Sequence, residues 1–367
     1  MLKTQEYLRT ANKNLQTLET ELGIETTFSP TEPLVILNYN QIKSPKTHPI
    51  VSECRSLVLE LNTWNLVGKS FNRFFNLGEA PELVNEFNWN NFEATTKEDG
   101  SLILLYNYNN SWKVNTRGSF GFGELPYCPK KLSWHNYFWS LCQSNKVAQL
   151  PPELCITFEL CTLYNKVVRA YAEPQLFLLT VVNRNTLEEY SAEKAAQIAE
   201  TLGVPRPQSW AFSSAQEILN YLTEIENSNP TFEGFVLRDG NLRIKVKNKG
   251  YLRLHKMRGN GENIFSPKCL VPFILSNELG ELLSVYPETS EYVAKFSEIM
   301  NEEYVYIESV WMKIRSFGLL SQKEFAIMVQ NECPKWSSLF FTARKMNVHI
   351  REVWLKSEKA IIERLFK

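Results

Sequence analysis

No apolar run in the 367 residues approaches the roughly eighteen needed to span a bilayer, and the opening MLKTQEYLRT lacks the apolar core of a secretory signal. A cytoplasmic protein without a membrane partner is expected. Histidine is scarce: the four residues, at 48, 135, 255 and 349, are scattered, which argues against a histidine-based metal centre. The seven cysteines (54, 128, 142, 155, 161, 269, 333) are odd in number and include no Cys-x-x-Cys. That excludes the usual zinc and disulfide frameworks and points to buried free thiols in a reducing compartment. Net charge is also lacking, with 40 Lys plus Arg against 40 Asp plus Glu, so a surface wrapped in nucleic acid is disfavoured while a local basic groove stays open. Finally, no Gly-x-x-x-x-Gly-Lys-Ser/Thr loop occurs, so kinase-type phosphate binding is not expected of this chain.

What is present is soluble globular material, 44% hydrophobic and 22% charged, long enough for two domains. Leu8, Ala11, Leu15, Leu18 and Leu22 recur at steps of three and four and predict an amphipathic helix over 5–24. From about 34 to 258 the chain turns to short runs rich in Val, Ile, Leu, Phe and Tyr: PLVILNYN, RSLVLEL, SLILLYNY, LCITFELC, QLFLLTVVN, GFVLRDG and LRIKVK. Helices interrupt at about 131–146 and at 191–203, where Ser191 suits a cap and Gly203 a stop. The mixture predicts an α+β class with a mostly antiparallel sheet. After GNGEN, at 259–263, periodicity through Met300, Tyr304, Ile307, Trp311 and Ile314 predicts an all-helical C-terminal domain over 264–367.

The stretch Lys97-Glu98-Asp99-Gly100-Ser101 lies between two strand-like runs. Asp-Gly in that setting reads as a hairpin turn. It also reads as a nucleophilic lysine on a strand end, followed by a glycine that lets phosphates approach the backbone. Downstream, ITFEL places Glu159 in a strand, FEGFVL presents Glu233, and RIKVK presents Lys245 and Lys247. A strand glutamate alone reads as a solvated face, and Lys-x-Lys as a polar sheet face. In this order they supply a nucleophile, two carboxylates for a hydrated divalent cation, and two lysines for phosphates. From Leu242 to Gly261 the chain also carries Arg243, Lys245, Lys247, Lys249, Arg253, Lys256 and Arg258 without an acidic residue, a stripe suited to a phosphate backbone.

These residues resemble motifs I, III, IV and V of the covalent nucleotidyltransferases, which include DNA ligases, RNA ligases and mRNA-capping enzymes. KEDGS, ECRSLVLE at 53–60, FFNLGE at 74–79, FELCTLYNKVVRAY at 158–171 and KVKNKGYLRLH at 245–255 resemble more closely the phage-type RNA ligase 1 family of ATP-dependent RNA ligases. The resemblance implies an antiparallel, ATP-grasp-like ligase domain over 1–258, using ATP with Mg²⁺ or Mn²⁺. Lys97 would attack the α-phosphate of ATP, AMP would pass to a 5′-phosphate RNA end, and a 3′-hydroxyl would displace it. It further implies Glu159 and Glu233 at the metal, and Arg55, Arg73, Phe75, Gly100, Arg117, Glu159, Lys245, Lys247 and Tyr251 at nucleotide and phosphate. Arg73 and Arg117 stand where the family pattern carries lysine, which replaces a point charge by a planar fork.

A free lysine, with its pKa near 10.4, is mostly protonated at neutral pH, and neighbouring cations with partial burial are expected to lower it. The expected protein is a monomer acting in RNA repair, including tRNA repair, on single-stranded or nicked stem-loop RNA, with end healing by a separate kinase/phosphatase. A DNA ligase or capping enzyme would share the lysine but place an OB-fold barrel after motif V, where helical periodicity stands instead. A non-catalytic RNA-binding module would keep the basic stripe without needing Lys97, Glu159 and Glu233. Truncation after about residue 262 is predicted to spare AMP transfer to Lys97 and to slow sealing of a nicked stem-loop more than of a linear oligonucleotide. An equal ratio of the two rates in full-length and truncated protein would remove the tail from substrate choice.

Overall fold

The computed structural model describes residues 1–41, 43–125, 128–165, 168–226, 228–229, 231–252, 265–276, 279–285, 287–318 and 320–366. Two compact units divide the chain, Met1–His255 and Lys256–Lys367. The GNGEN segment lies outside the described residues.

The first unit opens with two short helices, Lys3–Arg9 and Leu15–Leu22, where the leucine spacing predicts one. Asn12 takes a left-handed φ of 66°, and Asn14 caps the second helix by accepting from the Thr17 N–H. Asparagine side chains that satisfy free backbone donors compete with helix continuation. Leu8, Leu18 and Leu22 are buried, while Ala11 falls in the break and is exposed. A meander follows: β1 (Ile24–Phe28), β2 (Leu34–Tyr39), β3 (Leu57–Glu60) and β4 (Leu66–Gly68), in the order β1-β2-β3-β4. Every residue of β2 is buried. Val35, Leu37 and Tyr39 pack toward the N-terminal helices, and Leu34 and Ile36 pack toward Leu104, Tyr106 and Val182. A strand covered on both faces explains why its sequence is a continuous apolar run rather than an alternating one.

The chain then moves between two further sheets. β5 (Phe75–Asn76) and β6 (Glu93–Thr96) enter one; β7 (Ser101–Tyr108), β8 (Ser111–Thr116), β9 (Leu154–Cys161) and β10 (Gln175–Asn183) build the other; β11 (Ser209–Trp210), β12 (Gly234–Asp239) and β13 (Leu242–Lys247) return to the first. Their orders are β11-β6-β12-β13-β5 and β10-β9-β7-β8. All pairings are antiparallel except β13 with β5. The KEDG segment is therefore not a hairpin. β6 and β7, on either side of it, belong to different sheets, so it is a crossover, with Glu98 and Asp99 only 7% and 3% exposed. Ser191 caps the helix Ala192–Leu202 and Gly203, with φ 71°, ends it; the 131–146 region holds the helices Trp134–Leu141 and Ser144–Val147.

The second unit is helical in its described residues. Its long helix Ser290–Arg315 buries Met300, Ile307, Val310, Trp311 and Ile314 in one cluster with Trp336, Phe340 and Trp354. This is the stripe its three- and four-residue spacing predicts. No described helix is long and apolar enough to cross a membrane.

Gly234 opens β12 at a φ of 138°, and a Cβ there would lie 2.1 Å from the Val246 carbonyl oxygen. Both the backbone angle and the space exclude a side chain. Gly234→Ala is expected to cost at least about 2 kcal/mol in chemical denaturation. An unchanged midpoint would contradict the close pairing of Gly234 with Lys247 across β12 and β13.

Candidate active site

The antiparallel registers bring distant residues to one end of the sheets. Gly234 faces Lys247 across β12 and β13, Phe235 faces Thr96 across β12 and β6, and Lys97 N–H donates to the Gly234 carbonyl at 2.8 Å. Lys97, Glu233 and Lys247 are thus neighbours, although 150 residues separate the first from the last. On the other sheet Leu102 faces Glu159 across β7 and β9. The crossover between the sheets is the KEDG segment itself.

Glu233 is the hub. Its Oε1 lies 2.7 Å from Lys97 Nζ and 2.7 Å from Lys247 Nζ. Lys97 keeps 21% of its side chain exposed, whereas Lys247 and Glu233 are at 4% and 3%. The second oxygen, Oε2, is buried without a hydrogen-bond partner among the described residues. Glu159 shares the field: desolvation pushes its carboxyl up to about 7, Lys97 pulls it down, and Glu233 pushes it up again. The Gly100 N–H donates to Glu159 Oε1 at 3.1 Å. Gly100 therefore meets the site differently from its expected role beside phosphates: its N–H is engaged by Glu159, and its missing Cβ leaves room for the Leu160 carbonyl, 2.3 Å from where a Cβ would sit. No group of three or more His, Cys, Asp or Glu side chains suited to a metal occurs among the described residues. One orphaned buried carboxylate oxygen and a second, desolvated carboxylate suit a cation that keeps most of its water, as Mg²⁺ does.

A second cluster gathers around Tyr39, which ends β2 and is 2% exposed. Arg55 Nη1 donates to its hydroxyl at 3.0 Å, and the Arg73 and Arg117 guanidinium carbons lie 4.2 and 4.6 Å from its ring centre. Among the described residues no ion pair joins these three guanidinium groups to a carboxylate, and buried Arg55 Nε and Arg117 Nη2 have no hydrogen-bond partner. Burial would push the Tyr39 phenol up, yet the positive field of Arg117, Arg55, Lys245 and Arg73 brings it down to about 7. Convergent guanidinium groups without counter-ions form an anion-binding arrangement. The electrostatic influence of Glu159 on Arg55 and of Lys245 on Tyr39 ties the two clusters together.

Two expected contact residues sit behind the cleft. Phe75 is 4% exposed, with the Arg73 guanidinium 5.1 Å from its ring. Tyr251, 1% exposed, has Lys247 Nζ 5.3 Å from its ring and donates its hydroxyl to Asp99 Oδ1 at 3.0 Å. The basic stripe also changes character. Arg243 is 8% exposed and paired with Glu189, and Lys247 is buried on Glu233, so neither lies along an open track; Arg253, Lys256 and Arg258 fall outside the described residues. Tyr39 went unread in the sequence because it ends an apolar run and looks like core.

A family model described as RNA ligase matches residues 53–252. That span is more than half of the chain, and the chain belongs to this RNA ligase family. A protein of Autographa californica nuclear polyhedrosis virus, named as a bifunctional polynucleotide kinase/RNA ligase, is 28% identical over 349 residues, covering 88% of this chain and 47% of its own length. The chain thus spans about half the length of that relative. A Thermovibrio ammonificans protein named as an RNA ligase is 24% identical, with 82% and 80% covered. The solved structure of an archaeal ATP-dependent RNA ligase aligns over 77% of this chain and 74% of its own at a TM-score of 0.50 and 14% identity, a likeness of fold.

Because the folded-state pKa of Tyr39 is depressed from 10 to about 7, ionisation occurs first in the folded protein. The stability it contributes, relative to Tyr39→Phe, is expected to grow as pH rises from about 7 towards 10 and to vanish as pH falls below about 7. Tyrosinate absorbance should titrate near neutrality in nucleotide-free wild type and not in Tyr39→Phe.

Proposed function

We propose that the chain is an ATP-dependent RNA ligase that joins a 5′-phosphate to a 3′-hydroxyl RNA end. The observation that carries this reading is the partly exposed Lys97 amine, held by a buried glutamate that also binds Lys247, beside three guanidinium groups without counter-ions among the described residues. A lysine held in this way by buried groups is oriented for attack along one direction.

In the first step neutral Lys97 Nζ attacks the α-phosphorus of ATP, a P–N bond forms, and the bond to pyrophosphate breaks. The ammonium proton leaves Nζ for solvent beforehand, and a second proton is released to solvent as the P–N bond forms. Glu233 Oε1, in direct contact, accepts a hydrogen bond from it and orients the nitrogen. Lys245 and Lys247 contribute positive charge where the phosphorane and pyrophosphate accumulate negative charge. Arg55, Arg73 and Arg117, with Tyr39 between them, receive the outer phosphates. AMP then passes from Lys97 to the RNA 5′-phosphate, and the 3′-hydroxyl displaces AMP to form the phosphodiester. Glu159 and Glu233 would hold the divalent cation, Mg²⁺ or Mn²⁺, which when bound screens phosphate charge.

The domain assignment follows: 1–258 carries adenylyl transfer, 259–263 links, and 264–367 contributes to RNA choice. The viral relative's name pairs this activity with a polynucleotide kinase, and we assign the chain to cytoplasmic RNA repair on ends that such an activity prepares.

With labelled ATP and Mg²⁺ the wild type is expected to form a phosphoamide adduct on Lys97. Lys97→Ala should form none while unfolding at the wild-type temperature, and Glu233→Ala should lose at least about 100-fold in adduct formation, since it removes the carboxylate oxygen that lies 2.7 Å from both Lys97 Nζ and Lys247 Nζ. An adduct mapped by mass spectrometry to another lysine would overturn the assignment.

A further inference from the structure

The two carboxylates that follow Lys97 are buried, and each has hydrogen-bond partners of its own. Glu98 and Asp99 are 7% and 3% exposed, and a single segment, Val168–Tyr171, grips both. Asp99 Oδ2 accepts from the Val168 and Arg169 N–H groups at 2.8 and 2.7 Å. Tyr171, itself 7% exposed, uses its one hydroxyl twice: it accepts the Asp99 N–H at 3.0 Å and donates to Glu98 Oε2 at 2.8 Å. Arg169 adds a contact to the same Glu98 oxygen at 3.3 Å, with its guanidinium 4.8 Å from the Tyr171 ring.

The placement of this brace gives it a consequence for Lys97. Residues 97–100 are the crossover between two sheets, so no strand ladder of their own fixes them. At one end the Lys97 N–H is held by Gly234, and at the other the Gly100 N–H is held by Glu159. Between those ends the segment's orientation depends on Glu98 and Asp99, and Tyr171 is the side chain that touches both. We infer that Tyr171 is a positioning residue for adenylyl transfer, aiming the Lys97 amine by locking the two residues after it through one hydroxyl. The inference rests on the ligase reading of the site. With its hydroxyl engaged by Asp99 and Glu98, Tyr171 acts through the crossover.

Removing only the oxygen isolates the effect. Tyr171→Phe keeps the ring that fills the site but leaves the Asp99 N–H without its acceptor and Glu98 without one of its donors. The rate of lysyl-AMP formation from ATP is expected to fall by about 10- to 100-fold, the range for a lost buried hydrogen bond, at an unchanged KM for ATP. Sealing of a pre-adenylylated RNA strand, which needs no attack by Lys97, should stay within about 3-fold of wild type. Retained sealing also reports that the variant is folded. Equal losses in adenylylation and sealing would reduce Tyr171 to a structural role and overturn the inference, as would adenylylation at the wild-type rate. Failure of the wild type to form any adduct would instead defeat the ligase reading, which separates the two.

Discussion

Two ammonium groups sharing one buried carboxylate oxygen is the interaction around which this site is organised. Lys97 follows β6, Lys247 ends β13, and Glu233 immediately precedes β12 between them, so the hydrogen-bond ladder itself presses the three charges together. Burying such charges costs several kcal/mol each unless they are paired. Glu233 meets both ammonium groups through one oxygen, and burial pushes the neighbouring Glu159 towards its neutral form.

The same logic repeats at Tyr39. Three guanidinium groups around one phenol repel one another, and their mutual repulsion is relieved by drawing the phenol towards ionisation. The aromatic rings beneath them, Phe71, Phe74 and Phe75, supply faces that tolerate cations without neutralising them. Elsewhere the fold treats charge in the ordinary manner. Arg243 and Arg238 are matched to Glu189, and Arg238 and Arg206 to Glu93 at the start of β6. Arg55, Arg73 and Arg117 contrast with these, having no ion pair to a carboxylate among the described residues.

Much of this was legible in the residues. Each of the seven quoted apolar runs contains a strand, because continuous or alternating β-branched and aromatic residues bounded by turn formers leave few other local solutions. The helical spacing around Trp311 predicted the buried stripe of the long helix, and of the residues in the order lysine, glutamate, glutamate, Lys-x-Lys the fold brings Lys97, Glu233 and Lys247 together. Spacing alone misjudged 5–24, where Asn12 and Asn14 break a helix that the leucines favour.

What tertiary structure decided is where the backbone goes between those elements. Asp99-Gly100 has the chemistry of a hairpin turn, and only the pairing of β6 with β12 and of β7 with β9 makes it a crossover whose acidic residues are buried. Tyr171 and Tyr251 carry no local mark of their roles, since a hydroxyl acquires one only when a distant segment supplies its partner. Arg243 and Lys247 share a strand face with Lys245, yet one meets Glu189 and the other Glu233. Sequence by itself determined the periodicities and the charges, because these are properties of side chains in order along the chain. Sheet pairing determined which charges meet, because that depends on distances between residues that are remote in sequence.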